Sequence, residues 1–165
     1  MKVKIIIILA ALITLSCSNK MPSMEKSKES PILVKCIISQ FADENFTGKD
    51  NIGEWYIIVI RQDKTFEVSC SRFFPMTPGV NELLRKKTYL DEEQWVKFSQ
   101  LYNDLQKDPS YIGELNTKDA WRVFLMTKDR KYSFYQYEDE KSNHHRLFDY
   151  ILEISPIVIY LHGFA

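Results

Sequence analysis

The stretch from Trp55 to Ser71 constrains the fold more than any other part of the sequence. Trp55 to Arg61 reads Trp-Tyr-Ile-Ile-Val-Ile-Arg. Such a short, nearly continuous apolar and β-branched run marks a central strand buried on both faces. Gln62-Asp63-Lys64 then turns the chain. From Thr65 to Ser71 the pattern alternates, with Phe66, Val68 and Cys70 on one side and Glu67, Ser69 and Ser71 on the other. That period of two is the side-chain period of a strand. Two such runs about a short polar turn predict a β-hairpin, and its apolar face must be covered by something else in the chain.

The other elements follow from the same kind of reading. Ile32 to Phe41 is β-branched early and predicts a strand, and Phe41 to Glu54 has the Asp, Asn and Gly content of a loop. Phe73 to Gly79 holds two prolines and is expected outside any regular ladder. Val80 to Leu90 has no decisive period. Asp91-Glu92-Glu93-Gln94 is a helix start, with Asp91 as N-cap, Gln94 as its capping-box partner and acids on the positive end of the dipole. Trp95, Phe98, Leu101, Tyr102 and Leu105 recur at helical spacing, and Asp108-Pro109 ends the run. Ala120 to Thr127 and Tyr132 to Tyr137 predict a second hairpin around Lys128-Asp129-Arg130-Lys131. Ser142 or Asn143 caps a second helix with Leu147, Ile151 and Ile154 as its stripe. Pro156 stops it, because its ring would clash with the carbonyl of Leu152. Ile157 to Leu161 is then either a last strand or a kinked continuation of the helix, and a short extended segment is the expectation.

The order is β-ββ-α-ββ-α. Hairpins predominate, so the expected fold is α+β: a largely antiparallel sheet of two hairpins plus the N-terminal strand, with two helices packed on one face.

The N-terminus places the chain in a cell. Lys2 and Lys4 precede an uninterrupted run from Ile5 to Leu15 in which only Thr14 is polar. As a helix that run would span about 17 Å at roughly 1.5 Å per residue, well short of a bilayer core of about 30 Å. It has the length of a secretory signal's apolar region. The run ends Leu15-Ser16-Cys17. A small residue directly before Cys resembles the lipobox of bacterial lipoproteins, although Thr14 and Leu15 depart from its commonest pattern. The resemblance covers residues 1–17 and implies cleavage before Cys17, acylation of Cys17 with palmitate-type chains, and attachment to a membrane of the cell envelope, facing the periplasm or the cell surface. Two or more acyl chains anchor stably. Residues 1–16 are then a signal peptide. Residues 17–30, rich in Ser and Lys and without an aromatic, read as a flexible tether. Residues 31–165 form one domain.

Charge excludes one large class of partners. The chain has 22 Lys+Arg and 22 Asp+Glu, and removing the signal leaves 20 basic against 22 acidic residues. A nucleic-acid binder would show a basic excess or stripe. The five glycines are scattered singly, so no phosphate-binding loop can be assembled.

Few constellations carry chemistry. Cys36 and Cys70 allow a disulfide if their strands are neighbours, and are otherwise two buried thiols. Neither stands in a CxxC, and no catalytic residue, metal site or cofactor is expected. His144, His145 and His162 match no metal motif, and the adjacent pair reads as surface histidines in a helix's first turn. Glu138-Asp139-Glu140 and Asp91-Glu92-Glu93 read as solvated caps. The second hairpin is the exception. Trp121, Val123 and Leu125 point one way and Arg122, Phe124 and Met126 the other, and in its partner strand Tyr132 and Phe134 oppose Ser133, Tyr135 and Tyr137. Both faces are thus apolar or aromatic, and helices on one face leave Arg122, Phe124, Tyr135 and Tyr137 as a candidate binding patch, which Phe73, Phe74 and Met76 would extend. The tail 157–161 is the alternative cover.

Strand pairs followed by helices behind a lipobox resemble small bacterial lipoproteins of unknown function. The reading that results is a non-catalytic, membrane-tethered binding module for a protein, peptide or glycan. A small periplasmic enzyme whose site assembles only in the fold, and a secreted inhibitor or immunity-type protein, are the alternatives.

Overall fold

The computed structural model describes residues 29–39, 45, 54–73, 81–113, 120–136 and 141–161. The signal peptide, Cys17 and nearly all of the tether lie outside them, as do Phe74, Met76, Tyr137, Glu138 to Glu140 and His162.

Nine elements follow one another: β1 (Ile32–Ser39), β2 (Trp55–Arg61), β3 (Thr65–Phe73), β4 (Asn81–Tyr89), α1 (Glu92–Leu105), β5 (Tyr111–Ile112), β6 (Arg122–Met126), β7 (Lys131–Tyr135) and α2 (Asn143–Glu153). The strands form one seven-stranded sheet in the order β4-β3-β2-β1-β6-β7-β5. Every pairing is antiparallel except β5 with β7. The fold is α+β. Both expected hairpins form. The first turns at Gln62 to Lys64, where Lys64 takes a positive φ of 66° and its N–H donates to Arg61 O at 3.1 Å. A type I turn followed by one left-handed residue closes three-residue hairpin loops in this way.

The sheet is wider than five strands. β4 pairs along all nine of its residues with β3 and forms an outer edge. Its Arg85, Lys86 and Lys87 are exposed, and this run of charge hides the strand period while protecting the edge from further pairing. β5, only two residues long, forms the other edge and leaves no periodic trace in the sequence. β1 pairs with β2 on one side and β6 on the other, so the N-terminal strand joins the two hairpins.

The helices begin and end where local chemistry dictates. The Asp91 carboxylate accepts from Gln94 N at 2.8 Å, while Gln94 Oε1 accepts from Asp91 N at 3.1 Å, closing the capping box. At the other end of α1, Leu105 O accepts from Asp108 N and from Tyr132 Oη, each at 3.0 Å, so the following turn and β7 together close the helix end. Ser142 caps α2 through its hydroxyl, which accepts from His145 N at 3.3 Å. The helices meet through Tyr150 Oη, which donates to Gln94 O, and through Lys97, which lies over the Tyr150 ring and beside Glu153.

One core cluster unites Val34, Cys36 and Ile38 of β1 with Tyr56, Ile58 and Ile60, Phe66, Val68 and Cys70, Val123 and Leu125, and Tyr132 and Phe134. Phe98 and Leu105 of α1 and Leu147, Phe148, Tyr150 and Ile151 of α2 belong to the same cluster. Residues 157–161 adopt no regular structure. Ile157, Ile159 and Leu161 pack against that cluster while Val158 and Tyr160 stay exposed, which is the period of an extended segment outside the ladder. Glu29 and Ser30, at the end of the expected tether, are held by Arg61: its guanidinium pairs with Glu29 at 2.9 Å and donates to Ser30 O at 2.9 Å.

Candidate functional site

Strand registry defines the second face of the sheet. Opposite the helix-bearing core, one row of cross-strand neighbours runs Arg85, Ser69, Ile57, Ile37, Phe124, Ser133. The next runs Ser71, Trp55, Ser39, Arg122, Tyr135. Ile37 and Trp55 form a small buried cluster, against which half-buried Ile57, Phe124 and Met126 pack. Among the described residues no apolar side chain of α1, α2 or 157–161 joins it. Ile157, Ile159 and Leu161 of the tail pack against the main core cluster instead.

Three members of the expected patch are described, and the structure brings them together. Arg122 and Phe124 are half-buried. The Arg122 Nε–H donates to Ser133 Oγ at 2.9 Å, and its guanidinium carbon lies 4.8 Å from the Phe124 ring centroid. Tyr135 is the cross-strand partner of Arg122. It is buried, at 8% exposure, rather than open to solvent. Phe73 extends β3 and pairs with Asn81, so its backbone lies inside the ladder despite the prolines that follow. Ser133, Ile57 and Met126 complete the site and were missed as site residues. The signal was there in Ser133, a small polar residue alternating with large aromatics, but only the β6–β7 register sets it beside Arg122.

The cysteines do not pair. Cys36 faces Ile58 across β1–β2, and Cys70 faces Tyr56 across β2–β3. Their strands are thus separated by β2, at least about 10 Å at roughly 4.8 Å per strand spacing, beyond the limit of about 7 Å for a disulfide. Both thiols are fully buried, and burial pushes the Cys36 thiol far above its ordinary value, suppressing the reactive thiolate.

The adjacent histidines are core residues, which corrects the expectation of a solvated first turn. β5 widens the sheet beneath the start of α2, so His144 stacks on Tyr111 and Tyr132 with centroids at 5.0 and 5.8 Å. His145, 1% exposed, lies 4.4 Å from the Phe134 ring. Its Nε2 is 3.2 Å from Tyr135 O and its Nδ1 3.2 Å from Ser142 Oγ. The neutral tautomer with the proton on Nε2 satisfies all of these groups: Nε2–H donates to the carbonyl, and Nδ1 accepts from the serine hydroxyl. His145 thereby ties the cap of α2 to the end of β7. Among the described residues no group of three or more His, Cys, Asp or Glu is placed to hold a metal. Asp91, Glu92 and Glu93 sit at the start of α1, where the cap and the dipole engage them.

No family model matches the chain, and no curated protein sequence matches it. Among the described residues no helix is long and apolar enough to cross a membrane.

Proposed function

We propose that this chain is a bacterial envelope lipoprotein, anchored through acylated Cys17, whose domain is a non-catalytic binding module for a protein partner. The anchor rests on the charged start, the short apolar run and the lipobox-like Ser16-Cys17. The observation that carries the binding role is the second face of the sheet. There Ile57, Phe124 and Met126 stay half-buried around Ile37 and Trp55, with Arg122 beside them, and neither helix nor the tail packs on that cluster. Half-buried apolar side chains next to a fixed arginine have the composition of an interface centre, where aromatics, Met and Arg are enriched.

Two measurements test the two halves. Intact mass and membrane fractionation from native cells, with and without Cys17→Ala, test the anchor. Membrane-bound protein with a diacylglyceryl-sized mass increment, lost in the variant, supports it; soluble, unmodified protein overturns it. A photo-crosslinking residue at position 126 is expected to capture an envelope protein, and one at position 96 on α1 is not. Equal capture from both positions overturns the binding face.

A further inference from the structure

The outer edge strand β4 carries three consecutive cations, Arg85, Lys86 and Lys87, all exposed. Together with Glu67, Val68 and Ser69 of β3 they line a cavity of about 300 Å³. That is the lower end of the range for small-ligand sites, roughly 300–1,000 Å³. Across the two strands Arg85 stands opposite Ser69, and Lys87 opposite Glu67. The acid in the wall is already engaged: the Glu67 carboxylate lies 3.2 Å from Lys87 Nζ and 3.8 Å from Arg61 Nη2. Asp63, in the β2–β3 turn, adds a weaker attraction on Lys87. Among the described side chains no carboxylate lies within 4.0 Å of Arg85 or Lys86. Of the acids that follow β4, Asp91 caps α1 and Glu92 pairs with Lys64. The wall therefore carries a net positive charge. A single charge is enough to guard an edge strand, and three of one sign around a cavity exceed that need.

The start of the domain lies beside this cavity. Glu29 pairs with Arg61 at 2.9 Å, Arg61 approaches Glu67, and Glu67 pairs with Lys87. A chain of ion pairs thus links the end of the expected tether to the cavity wall. Glu29 stands twelve residues after Cys17. A coil of that length spans about 20 Å, at roughly 5–6 Å times the square root of the residue number. Acyl chains on Cys17 would therefore hold the cavity close to a bilayer surface. We infer that this cavity receives the phosphate of an anionic lipid headgroup, which seats the β4 edge on the membrane that holds Cys17. The inference rests on the lipid-anchor reading and adds the orientation of the domain on its membrane. Phosphate suits the wall: its several oxygens accept from more than one cation, and Arg85, Lys86 and Lys87 offer one guanidinium fork and two ammonium groups. Clusters of Lys and Arg held near a bilayer bind anionic headgroups.

The test uses the chain purified from native cells and checked for acyl groups by intact mass. It is placed in vesicles of phosphatidylcholine alone, or of phosphatidylcholine and phosphatidylglycerol in equal parts. The acetylation rate of each lysine is read by mass spectrometry. In the mixed vesicles Lys86 and Lys87 are expected to react at least about five-fold more slowly than in neutral ones, the factor that one basic residue near an anionic surface contributes. Lys97, on α1, and Lys107, in the turn after it, are expected to keep their rates. Sodium chloride at about 1 M abolishes the difference by screening. Arg85→Gln, at an exposed side chain, reduces the protection of both lysines. Equal rates in the two kinds of vesicle refute the docking and leave the Cys17 anchor standing. Equal slowing of Lys97 and Lys107 also refutes it, because the bilayer then shields the whole domain rather than the cavity. A chain without acyl groups overturns the anchor and, with it, the lipid source. Sodium phosphate that slows Lys86 and Lys87 in neutral vesicles as strongly as the mixed vesicles do overturns the lipid source in favour of a free phosphate.

Discussion

Truncating Phe98 to alanine tests how α1 is seated on the sheet. Phe98 is fully buried in the main core cluster, between the stacked rings of Trp95 at 5.6 Å and Tyr102 at 6.0 Å. Trp95 and Tyr102 are fixed to the same helix, one turn back and one turn on, so they can enter the space only by leaving their own rotamers. The cost is therefore the full transfer and cavity loss, about 3–5 kcal/mol for a buried Phe→Ala. Against a total stability of about 5–15 kcal/mol, that is a large share. The assay is urea unfolding followed by far-UV circular dichroism. With a slope of about 2 kcal/mol per molar urea, the midpoint falls by about 2 M. Val96→Ala is the matched control on the same helix. Val96 is 60% exposed, and its truncation is expected to change stability by no more than about 0.5 kcal/mol. A Phe98→Ala shift below about 0.5 M, or one no larger than that of Val96→Ala, refutes the seating of α1 by this face.

Three further outcomes follow from individual groups. Asp91→Ala removes the carboxylate arm of the capping box, leaving the backbone N–H of residue 91 to Gln94 Oε1, and is expected to cost about 1 kcal/mol, seen as a fall of a few degrees in the melting temperature, while Asp91→Asn keeps most of it. Burial raises the phenol groups of Tyr102, Tyr132 and Tyr150 above their ordinary value of 10.0. A folded-state pKa that is raised contributes stability below the unfolded value and loses it as pH climbs through the folded value, so stability falls on the alkaline side of pH 10. An ultraviolet titration should show these tyrosines ionising late and together with unfolding; a simple titration of all nine tyrosines at the ordinary value contradicts their burial. Iodoacetamide should leave Cys36 and Cys70 unmodified in the native domain and label both in denaturant without reductant, because the thiols are buried and unbridged. Unlabelled cysteines in denaturant would indicate a disulfide.

Local rules carried much of the fold. The hairpin of β2 and β3 was legible because its apolar period and its turn lie within a few residues of each other. The same holds for the Asp91–Gln94 capping box, the Ser142 cap and the stop before Pro109, each a contact between near neighbours in sequence. The division of Arg122 and Phe124 from Val123 and Leu125 was legible too, since alternation in a strand is geometric. Whether that second face is open was not legible, because exposure depends on what packs from elsewhere: Tyr135 is buried although it alternates with Phe134 as expected. Nor could the sequence show that Ser133 grips Arg122, a contact set by the register of one strand against another.

Sequence alone determined the periodic elements, their caps and turns, and the apolar sidedness of β3, β6 and β7, because these depend on interactions over one to four residues. Tertiary structure alone decided the rest. Strand order put β2 between Cys36 and Cys70 and made a disulfide unreachable. It placed β1 at the junction of the two hairpins and recruited β4 and the two-residue β5 as edges. β5 in turn extended the sheet under α2, turning two adjacent histidines from expected surface residues into core. These outcomes depend on which strands lie side by side, and side-by-side strands are chosen by the burial of the whole sheet, a sum over contacts distant in sequence that no local pattern contains.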